Sequence, residues 1–428
     1  MSPDTIFAVS SGAPPSAISV IRISGPHSGA ALTALAGELP EPRRAVLRSL
    51  KHPVDSHILD SALVLWFPGP RTATGEDCAE LHCHGGRAVI VAVSAALGAI
   101  DGCRPAEAGE FTRRAFANGV MDLAEAEALS DLLAAETERQ RKQALDQAGG
   151  LLSRQIEDWR QRLLQGSALV ESELDFSDED DVDAASAEKL RRFLSDLASE
   201  VETALATPPA ERLHDGLRVV IAGPPNAGKS TLLNRLVQRE AAIVTDIAGT
   251  TRDIIEAPVT LNGIAYIFTD TAGLREDSAD AVEAIGINRA QQALVRADIV
   301  LWLGAAWDKP DHPALIDIAA KADLGADKAG ADCVVSAKTG EGVEALISQL
   351  TKLAQTLLPP LDQPAWNARQ RGLLRAFAEA LGRAQLGEDM LVVGEELRLA
   401  RLALDQITGR SHVEDMLDTL FGKFCIGK

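Results

Sequence analysis

The chain has 428 residues, which is enough for two to four domains with substantial cores. Its net charge of −20 excludes a protein that coats nucleic acid with a basic surface, so any RNA contact is expected to be a local patch or the work of a partner. Five scattered cysteines favour a reducing compartment over a disulfide framework. The N-terminus lacks a signal-peptide pattern, and the longest apolar stretch (88–100) is too short to span a bilayer. We therefore expect a soluble cytoplasmic protein with no membrane partner.

The first region, to about residue 118, has an α+β pattern. Short β-branched or alternating apolar runs predict strands at residues 5–9, 17–24, 61–67 and 80–84. A helix is predicted at 87–99, directly after Gly85-Gly86. The consecutive residues His82, Cys83 and His84 are of types that bind zinc. No second pair stands at ligand spacing, so a strand leading into a glycine turn explains them better than zinc does.

The middle and the end of the chain have helical periodicity. Helices are predicted over 121–148, from after the interruption at Gly149-Gly150 to 173, over 187–206 and, near the end, over 367–384, 394–407 and 413–421. The acidic run 175–183 is interpreted as a solvated loop, because it lacks an ordered ligand spacing. Residues 207–216 have the composition of a linker.

Between these helical parts lies an α/β pattern, so we predict a helical domain with a P-loop domain inserted in its middle. The fold class is therefore multidomain α/β and α+β. The predicted segments are 1–118 (N-terminal α+β domain), 119–215 (first helical part), 216–354 (P-loop domain) and 355–428 (second helical part).

The strongest motif is Gly-Pro-Pro-Asn-Ala-Gly-Lys-Ser at 223–230, which has the form G-x-x-x-x-G-K-[ST]. An apolar β-branched run (217–222) precedes it and a helical pattern (231–237) follows it, as a phosphate-binding loop requires. The glycines let backbone N–H groups approach phosphate, Lys229 reaches the terminal phosphates, and the Ser230 hydroxyl takes Mg²⁺. The predicted nucleotide contacts of this segment are Asn226, Ala227, Gly228, Lys229, Ser230 and Thr231.

Two further motifs follow in the order expected of a GTPase. A threonine in 246–253 can bind Mg²⁺ when a γ-phosphate is present and release it afterwards, which makes a switch. After the predicted strand 264–269, Asp270 can hold Mg²⁺ through water, and Gly273 can donate its N–H to the γ-phosphate. The predicted contacts are Asp246, Ile247, Ala248, Gly249, Thr250, Thr251, Asp270, Thr271, Ala272 and Gly273.

The guanine-reading motif departs from its usual form Asn-Lys-x-Asp. The chain has Ala320-Lys321-Ala322-Asp323, in which Asp323 can accept from the guanine N1–H and amine and the Lys321 stem can cover the ring. Ser336, Ala337 and Lys338 can pack on the base. Because the asparagine is missing at position 320, we expect GTP selectivity with weaker affinity. The segment 303–321 also looks short for a strand, a helix and a strand.

The residue that orients the attacking water is not in its usual place. Many regulatory GTPases carry Gln two positions after the Asp-x-x-Gly glycine, whereas this chain has Arg275 there. Glu283 is a plausible substitute. The alternative is that Glu283 is an ordinary exposed helix glutamate.

Taken together, these motifs and others resemble the MnmE (TrmE) family of tRNA modification GTPases. The resemblance covers nearly the whole chain, and the terminal Phe-Cys-Ile-Gly-Lys is its most specific part. The matching segments are 22–25 (Arg-Ile-Ser-Gly), 74–77 (Thr-Gly-Glu-Asp), 84–86 (His-Gly-Gly), 109–113 (Gly-Glu-Phe-Thr-Arg), 223–230, 247–253 and 424–428.

The resemblance implies a dimerising N-terminal folate-binding domain, a discontinuous helical domain and a potassium-activated GTPase domain. It implies a homodimer that works with an FAD-dependent subunit (MnmG/GidA-like) on tRNA. Together they install an aminomethyl or carboxymethylaminomethyl group at C5 of the wobble uridine, from a 5-formyl- or methylene-tetrahydrofolate. GTP, Mg²⁺ and K⁺ are the other implied cofactors.

The resemblance also assigns roles to individual residues. Asn226, Thr245, Ile247 and Thr250 surround K⁺, with Thr245 also contacting nucleotide, and Ser230 and Thr251 hold Mg²⁺. Glu283 orients water. Arg22, Glu80 and Lys428 contact folate, and Cys425 is required for tRNA modification, with a small buried hydrophobe as the alternative. Two departures, Val120 in place of a lysine and the unusual loop 10–16, imply altered folate contacts.

Two other functions stay open on the sequence. One is a regulatory or assembly GTPase that binds RNA without chemistry on it, which the folate-like region and Cys425 disfavour. The other is a membrane-associated potassium-stimulated GTPase. The chain lacks a basic amphipathic helix, and Gly427 and Lys428 are the wrong residues for a prenylation signal.

Overall fold

The computed structural model describes residues 4–175, 184–239, 256–270, 292–325, 330–387, 389–411, 417, 420–422, 424 and 426–427. The chain forms two compact units. One comprises Met1–Ser130 and Asp405–Lys428, and the other comprises Asp131–Leu404. Within the described residues, every helix is too short or too polar to cross a membrane.

The first unit contains a six-stranded sheet and short helices. Its strands are β1 (Thr5–Val9), β2 (Ile18–Ser24), β3 (Val46–Lys51), β4 (Ile58–Phe67), β5 (Cys78–His84) and β6 (Cys103–Pro105). The order in the sheet is β3-β4-β5-β2-β1-β6, with β1 and β6 parallel and the other neighbours antiparallel. Its helices are α1 (Ser28–Ala36), α2 (Arg87–Gly98), α3 (Glu110–Ala117) and α4 (Leu123–Ala134), the last of which runs into the second unit.

The core of this unit lies on one face of the sheet. Side chains alternate along a strand, so Ile21 and Ile23 of β2 point into the core while Arg22 between them points to the other face. α1 and α2 cover the core face with apolar side chains such as Leu32, Leu35, Val93 and Leu97, which are almost fully buried. The opposite face carries polar side chains such as Arg22 and a smaller buried apolar cluster of Ile6, Ala8, Ala106 and Phe111.

The second unit contains a parallel sheet and long helices. Its strands are β7 (Leu217–Ala222), β8 (Glu256–Leu261), β9 (Ile264–Asp270), β10 (Ile299–Trp302), β11 (Leu315–Ala320) and β12 (Cys333–Val335). The order is β12-β11-β10-β7-β9-β8, and only the edge pair β8–β9 is antiparallel among these strands. The helices are α5 (Glu138–Ala148), α6 (Leu151–Asp175), α7 (Ala184–Ala206), α8 (Glu211–His214), α9 (Lys229–Arg239), α10 (Val343–Leu357), α11 (Ala368–Leu386) and α12 (Met390–Thr408).

Residues from distant parts of the sequence pack together in the helical part of this unit. The rings of Trp159 in α6 and Trp366 stack with centroids 5.8 Å apart, and Phe377 in α11 lies 6.0 Å from Trp159. All three side chains are almost fully buried. Helical segments before and after the inserted sheet therefore share one core, which the periodicity of the sequence could not establish.

Most predicted elements are confirmed within a few residues, and two predictions need correction. The unbroken helix predicted over 121–148 is wrong, because Thr137 caps α5 by accepting from the Gln140 N–H while the Gln140 side chain accepts from the Thr137 N–H. The predicted linker 207–216 contains α8. Most of the predicted helix 413–421 and most of the acidic run 175–183 lie outside the described residues.

Candidate functional site

The phosphate-binding loop is formed where β7 ends and α9 begins. Gly223 has φ = +149°, and a Cβ there would lie 3.1 Å from the carbonyl carbon of Leu303, so only glycine fits without a shift. Asn226 and Gly228 also have positive φ, +58° and +100°. The loop therefore turns tightly and leads directly into the N-terminus of α9, where backbone N–H groups and the helix dipole favour an anion.

Lys229 is the first residue of α9, and its side chain folds back over the loop. Its Nζ donates to the carbonyl oxygens of Gly223 at 3.1 Å and Pro224 at 2.9 Å. The residue is only 6% exposed, so its ammonium is held at the loop. Ser230 follows in the first turn of α9 and is exposed, which suits a hydroxyl that ligates a hard cation such as Mg²⁺.

A cavity of about 250 Å³ extends from this loop to the carboxyl ends of β11 and β12. Ala227, Gly228 and Thr231 line one end, and Lys321, Asp323 and Lys338 are among the residues that line the other. The structure thus brings the phosphate-binding loop together with the segments 320–323 and 336–338, which follow it in the sequence by about ninety residues or more. In open parallel sheets this edge, outside the carboxyl ends of the strands, is where ligands bind.

The base end of the cavity holds its carboxylate in place. The hydroxyl of Ser336, which is completely buried, donates to Asp323 Oδ1 at 2.7 Å and accepts from the Thr339 N–H at 3.2 Å. Lys321 has φ = +64°, so the chain turns sharply just before Asp323. This geometry leaves the second carboxylate oxygen available to a base. The Ser336–Asp323 contact was missed on the sequence, where Ser336 was assigned only to packing.

Position 320 supplies no polar group to this cavity. Ala320 lines it and is partly buried against the core of the sheet. An asparagine at the end of β11 would add an amide at this wall. The lining side chains with polar groups at this end of the cavity are therefore Lys321, Asp323 and Lys338.

The connection between β10 and β11 is as short as the sequence indicates. β10 and β11 pair in parallel, yet residues 303–314 contain a 3₁₀ turn (Ala306–Asp308) and no α-helix. A parallel crossover generally needs a dozen or more residues, so this connection is near the minimum length.

Several predicted nucleotide and metal residues lie outside the described part of the chain. They are Thr245, Asp246, Ile247, Ala248, Gly249, Thr250, Thr251, Thr271, Ala272, Gly273 and the predicted water-orienting Glu283. Asp270 is described in its backbone only. It ends β9 and lies opposite Ile221 of β7, one residue from the end of that strand.

In the first unit, Arg22 and Glu80 lie side by side on the sheet face opposite the core. They are register partners on β2 and β5, and Arg22 donates to Glu80 Oε1 through Nε at 3.1 Å and Nη2 at 3.0 Å. His82 Nε2 lies 3.2 Å from the other carboxylate oxygen, Oε2. The Arg22 guanidinium also lies 6.0 Å from the centre of the Phe111 ring. These side chains are partly exposed, so a ligand could reach them.

A second, buried ion-pair network lies beside this sheet, and no local sequence pattern predicts it. The Arg114 guanidinium, whose side chain is 5% exposed, donates to Asp4 Oδ1 at 2.9 Å, Glu110 Oε1 at 2.9 Å and Glu76 Oε2 at 3.2 Å. Arg104 also binds both Asp4 and Glu110. Burial raises the pKa of the Asp4 and Glu110 carboxyls, but the hydrogen bonds and charges of the two arginines outweigh it, and both pKa values fall below their ordinary range.

The described parts of the C-terminal tail are bound to the first unit. Ile426 forms a β-bridge with Ala108, and Ser10 Oγ donates to the Gly427 carbonyl at 2.7 Å. Gly427 has φ = +104°, and a Cβ there would collide with the Val9 carbonyl. Cys425 and Lys428 themselves lie outside the described residues, but their neighbours are anchored beside β1. Val120, which stands where the resemblance expects a lysine, is 43% exposed.

The His82-Cys83-His84 segment has strand geometry, as predicted. Cys83 points into the core and is 1% exposed, whereas His82 and His84 lie on the other face. Burial, together with the nearby charge of Asp60, raises the pKa of the Cys83 thiol to about 12. A neutral buried thiol pointing away from both imidazoles does not form a zinc site with them.

Comparison with known proteins gives matches along the whole chain. A family model described as "MnmE helical domain" matches residues 123–425, and one described as "GTP-binding protein TrmE N-terminus" matches residues 5–120. The tRNA modification GTPase MnmE of Erythrobacter litoralis (strain HTCC2594) is 56% identical over 425 residues, which cover 99% of this chain and 100% of that protein. This chain belongs to the MnmE family.

Further relatives agree with membership of the MnmE family. The tRNA modification GTPase MnmE of Rhizorhabdus wittichii is 58% identical over 428 residues, covering 99% of this chain and 97% of that protein. A solved structure, the G domain of the T. maritima FeoB iron transporter, covers 32% of this chain and 99% of that chain at 23% identity. Its TM-score of 0.23 is too low to support a structural argument. The resemblance noted on the sequence motifs is confirmed at the level of the family.

Proposed function

We propose that this chain is a GTP hydrolase that acts in the modification of tRNA. The observation that supports this proposal most is the cavity between the phosphate-binding loop and the Lys321–Asp323 turn. Membership of the MnmE family agrees with it. The loop end offers backbone N–H groups and an ammonium to phosphates. The other end offers a carboxylate fixed by Ser336, which suits the N1–H and amine of guanine.

The residues around the cavity and the phosphate-binding loop have defined tasks in this proposal. Lys229 exchanges its loop carbonyl partners for terminal phosphate oxygens, and the N-terminus of α9 stabilises their charge. Ser230, together with Thr251, would hold Mg²⁺, which would supply charge neutralisation at the transferring phosphoryl group. Ala337 and Lys338, with the Lys321 stem, enclose the base.

We assign K⁺ to Asn226, Thr245, Ile247 and Thr250, beside the phosphates. Asn226 is exposed in a left-handed conformation on the loop, which suits a residue whose side-chain oxygen faces a bound cation. Glu283 orients the attacking water. GTP turnover is expected to be much faster in K⁺ than in Na⁺ at equal ionic strength, and equal rates would count against the cation site.

We assign folate binding and the chemical step on tRNA to the first unit and the C-terminal tail. With an FAD-dependent partner of the MnmG/GidA type, a homodimer of this cytoplasmic chain would transfer a one-carbon unit from 5-formyl- or methylene-tetrahydrofolate to C5 of the wobble uridine. Arg22, Glu80 and Lys428 contact the folate, and Cys425 contributes its thiol to the modification. The Arg22–Glu80 pair on the open sheet face and the anchored Ile426 and Gly427, which follow Cys425, support this placement.

The domain organisation read from the sequence completes the proposal. Residues 1–118 form the folate-binding and dimerisation domain, 119–215 and 355–428 form a discontinuous helical domain, and 216–354 form the GTPase domain. The stacked pair of Trp159 and Trp366 supports the joining of the two helical parts.

The deciding experiment compares wobble-uridine nucleosides in a strain that lacks this protein with those in strains complemented by the wild type, Lys229→Ala or Cys425→Ser. We expect the C5-modified nucleosides to return with the wild type and to stay absent with either variant. Restoration by Cys425→Ser would remove the assigned role of the thiol. Unchanged nucleosides in the deletion strain would overturn the tRNA function while leaving GTP hydrolysis to be measured separately.

A further inference from the structure

The hairpin that joins β3 to β4 carries a group of side chains that the proposed function does not use. Its connecting residues are His-Pro-Val-Asp-Ser-His at 52–57. The His52 N–H donates to the His57 carbonyl at 2.9 Å, and the Ser56 N–H donates to the His52 carbonyl at 3.0 Å. Ser56 has φ = +59°, which tightens the turn. The backbone thus fixes the two histidines at the two ends of one short loop.

The side chains of this loop converge on one point. The Nδ1 atoms of His52 and His57 lie 3.1 Å and 2.6 Å from Asp55 Oδ1. The two imidazole rings are stacked, with centroids 5.0 Å apart and an angle of 16° between their planes. Ligand atoms held about 2.1 Å from one tetrahedral ion lie roughly 3.4 Å apart. The three ligand atoms are therefore spaced so that a small movement admits an ion between them.

The ligand types indicate which ion fits. Two imidazole nitrogens and one carboxylate oxygen suit borderline divalent metals such as Zn²⁺ better than Mg²⁺ or Ca²⁺, which prefer oxygen. Asp55 and His57 are more than half exposed and His52 is 28% exposed, so solvent can fill the remaining coordination positions. The ligand atoms of His52, Asp55 and His57 all lie within 4.8 Å of one another. Among the described residues, these three side chains form the group of histidine, cysteine or carboxylate ligands that is close enough to hold one metal ion.

A second histidine–aspartate pair in the same unit shows what the hairpin adds. His84 Nδ1 lies 2.7 Å from Asp60 Oδ1, a distance close to that of the His57–Asp55 pair, and His84 is 72% exposed. Among the described residues, no third histidine, cysteine or carboxylate lies close enough to His84 and Asp60 to complete a group of three ligands. His84 is therefore a matched control: an exposed imidazole paired with a carboxylate that belongs to no group of three ligands among the described residues.

We propose that the β3–β4 hairpin binds one borderline divalent metal ion of the Zn²⁺ type through His52 Nδ1, the Asp55 carboxylate and His57 Nδ1. Binding joins the two ends of the hairpin through the ion, and therefore stabilises the pairing of β3 with β4. The site shares no residue with the nucleotide cavity or with the Arg22–Glu80 pair. It does not depend on the proposed function.

The test uses the full chain, stripped of metal with a chelator and titrated with Zn²⁺ in competition with a chromophoric chelator. We expect His52→Ala and His57→Ala each to lower the affinity of one Zn²⁺ equivalent about tenfold or more, as loss of one ligand from a site of three predicts. His84→Ala should leave that equivalent unchanged. Zinc taken up at the nucleotide site or at cysteines is present in every variant and cancels in the comparison.

A second readout is the visible absorption of Co²⁺ bound in place of Zn²⁺. Low-coordinate imidazole and carboxylate ligation should give absorption bands in the wild type and in His84→Ala that are lost in Asp55→Ala. Circular dichroism verifies that each variant is folded, which is expected because the substituted side chains are at the surface. The proposal is overturned if the wild type and the hairpin variants bind the same number of Zn²⁺ ions with the same affinity, or if His84→Ala weakens binding as much as they do.

Discussion

The two six-stranded sheets position their functional side chains in different ways. In the parallel sheet of the second unit the strands are buried, and the chemistry lies in the loops beyond their carboxyl ends, where Gly228 of the phosphate-binding loop and Asp323 line one cavity. In the mostly antiparallel sheet of the first unit, one face is the core. Arg22 and Glu80 stand within strands on the other face, paired by register. The first arrangement depends on loop conformation and the second on strand register.

The largest effect is expected from the phosphate-binding loop. Lys229→Ala removes the ammonium that the loop holds beside the N-terminus of α9, and we expect GTP hydrolysis to fall by ~100-fold or more. Phosphate release by the purified chain measures this. Lys352→Ala, at an exposed position of α10, is the matched control and should keep the wild-type rate. A Lys229 variant with near-normal turnover would show that the loop is not where the phosphates react.

A comparable loss is expected at the other end of the same cavity. Asp323→Asn replaces an acceptor with a group that presents N–H to the guanine N1–H and amine, so GTP affinity should fall by ~100-fold. The variant should gain affinity for xanthosine triphosphate, because xanthine carries an oxygen where guanine carries the amine. Competition with a fluorescent nucleotide measures both values. Asp311→Asn, on the exposed 303–314 connection, should change neither, and a parallel loss there would point to a general defect.

The register-paired site should show a smaller effect, on a different ligand. Arg22→Ala removes two hydrogen bonds to Glu80 and leaves that carboxylate without its cation, so tetrahydrofolate affinity should fall by roughly tenfold or more. GTP hydrolysis should not change. Equilibrium binding of 5-formyltetrahydrofolate measures the loss. Arg44→Ala, which disrupts the exposed Arg44–Glu41 pair, is the control, and equal folate binding by both variants would remove Arg22 from the site.

The smallest effect concerns pH and the buried network of the first unit. Asp4 and Glu110 have lower pKa values in the folded chain than in the unfolded chain, because the arginines outweigh burial. Such groups stabilise the fold above their unfolded pKa, and this contribution is lost as the pH falls through the folded pKa. Calorimetry of the full chain should show the unfolding temperature of this unit falling from about pH 5 to about pH 3.

Glu110→Gln tests the source of that pH dependence. It should be less stable than the wild type at neutral pH and should lose less stability on acidification, because one of the titrating carboxyls is gone. Glu41→Gln, at an exposed ion pair, should follow the wild-type curve. Identical curves for all three proteins would place the acid sensitivity elsewhere in the chain.

The parallel sheet was the more predictable of the two from the sequence. The apolar run 217–222, the glycines of the loop and the helical pattern after it fixed β7, the loop and α9, because each has a local physical signature. The short connection between β10 and β11 was also predictable from the number of residues between them. The Ser336–Asp323 hydrogen bond was not, since it joins two loops whose distance depends on how β11 and β12 pair.

The antiparallel sheet was predictable in its strands and not in its contacts. Alternation predicted β1, β2 and β5, but the pairing of Arg22 with Glu80, 58 positions away, depends on register, which local pattern does not determine. The Arg114 network brings together residues up to 110 positions apart for the same reason. The break at Thr137 has a local signal, the Thr-x-x-Gln capping box, which here outweighs the continuous helical periodicity of 121–148.

The most direct test of the central claim is the hydrolysis of GTP and of ATP by the purified full chain under identical conditions with Mg²⁺ and K⁺. The cavity that pairs the Lys229 loop with the Asp323 carboxylate predicts that GTP is cleaved with ~100-fold or greater preference in kcat/KM. Equal use of the two nucleotides, or cleavage of neither, would contradict the account.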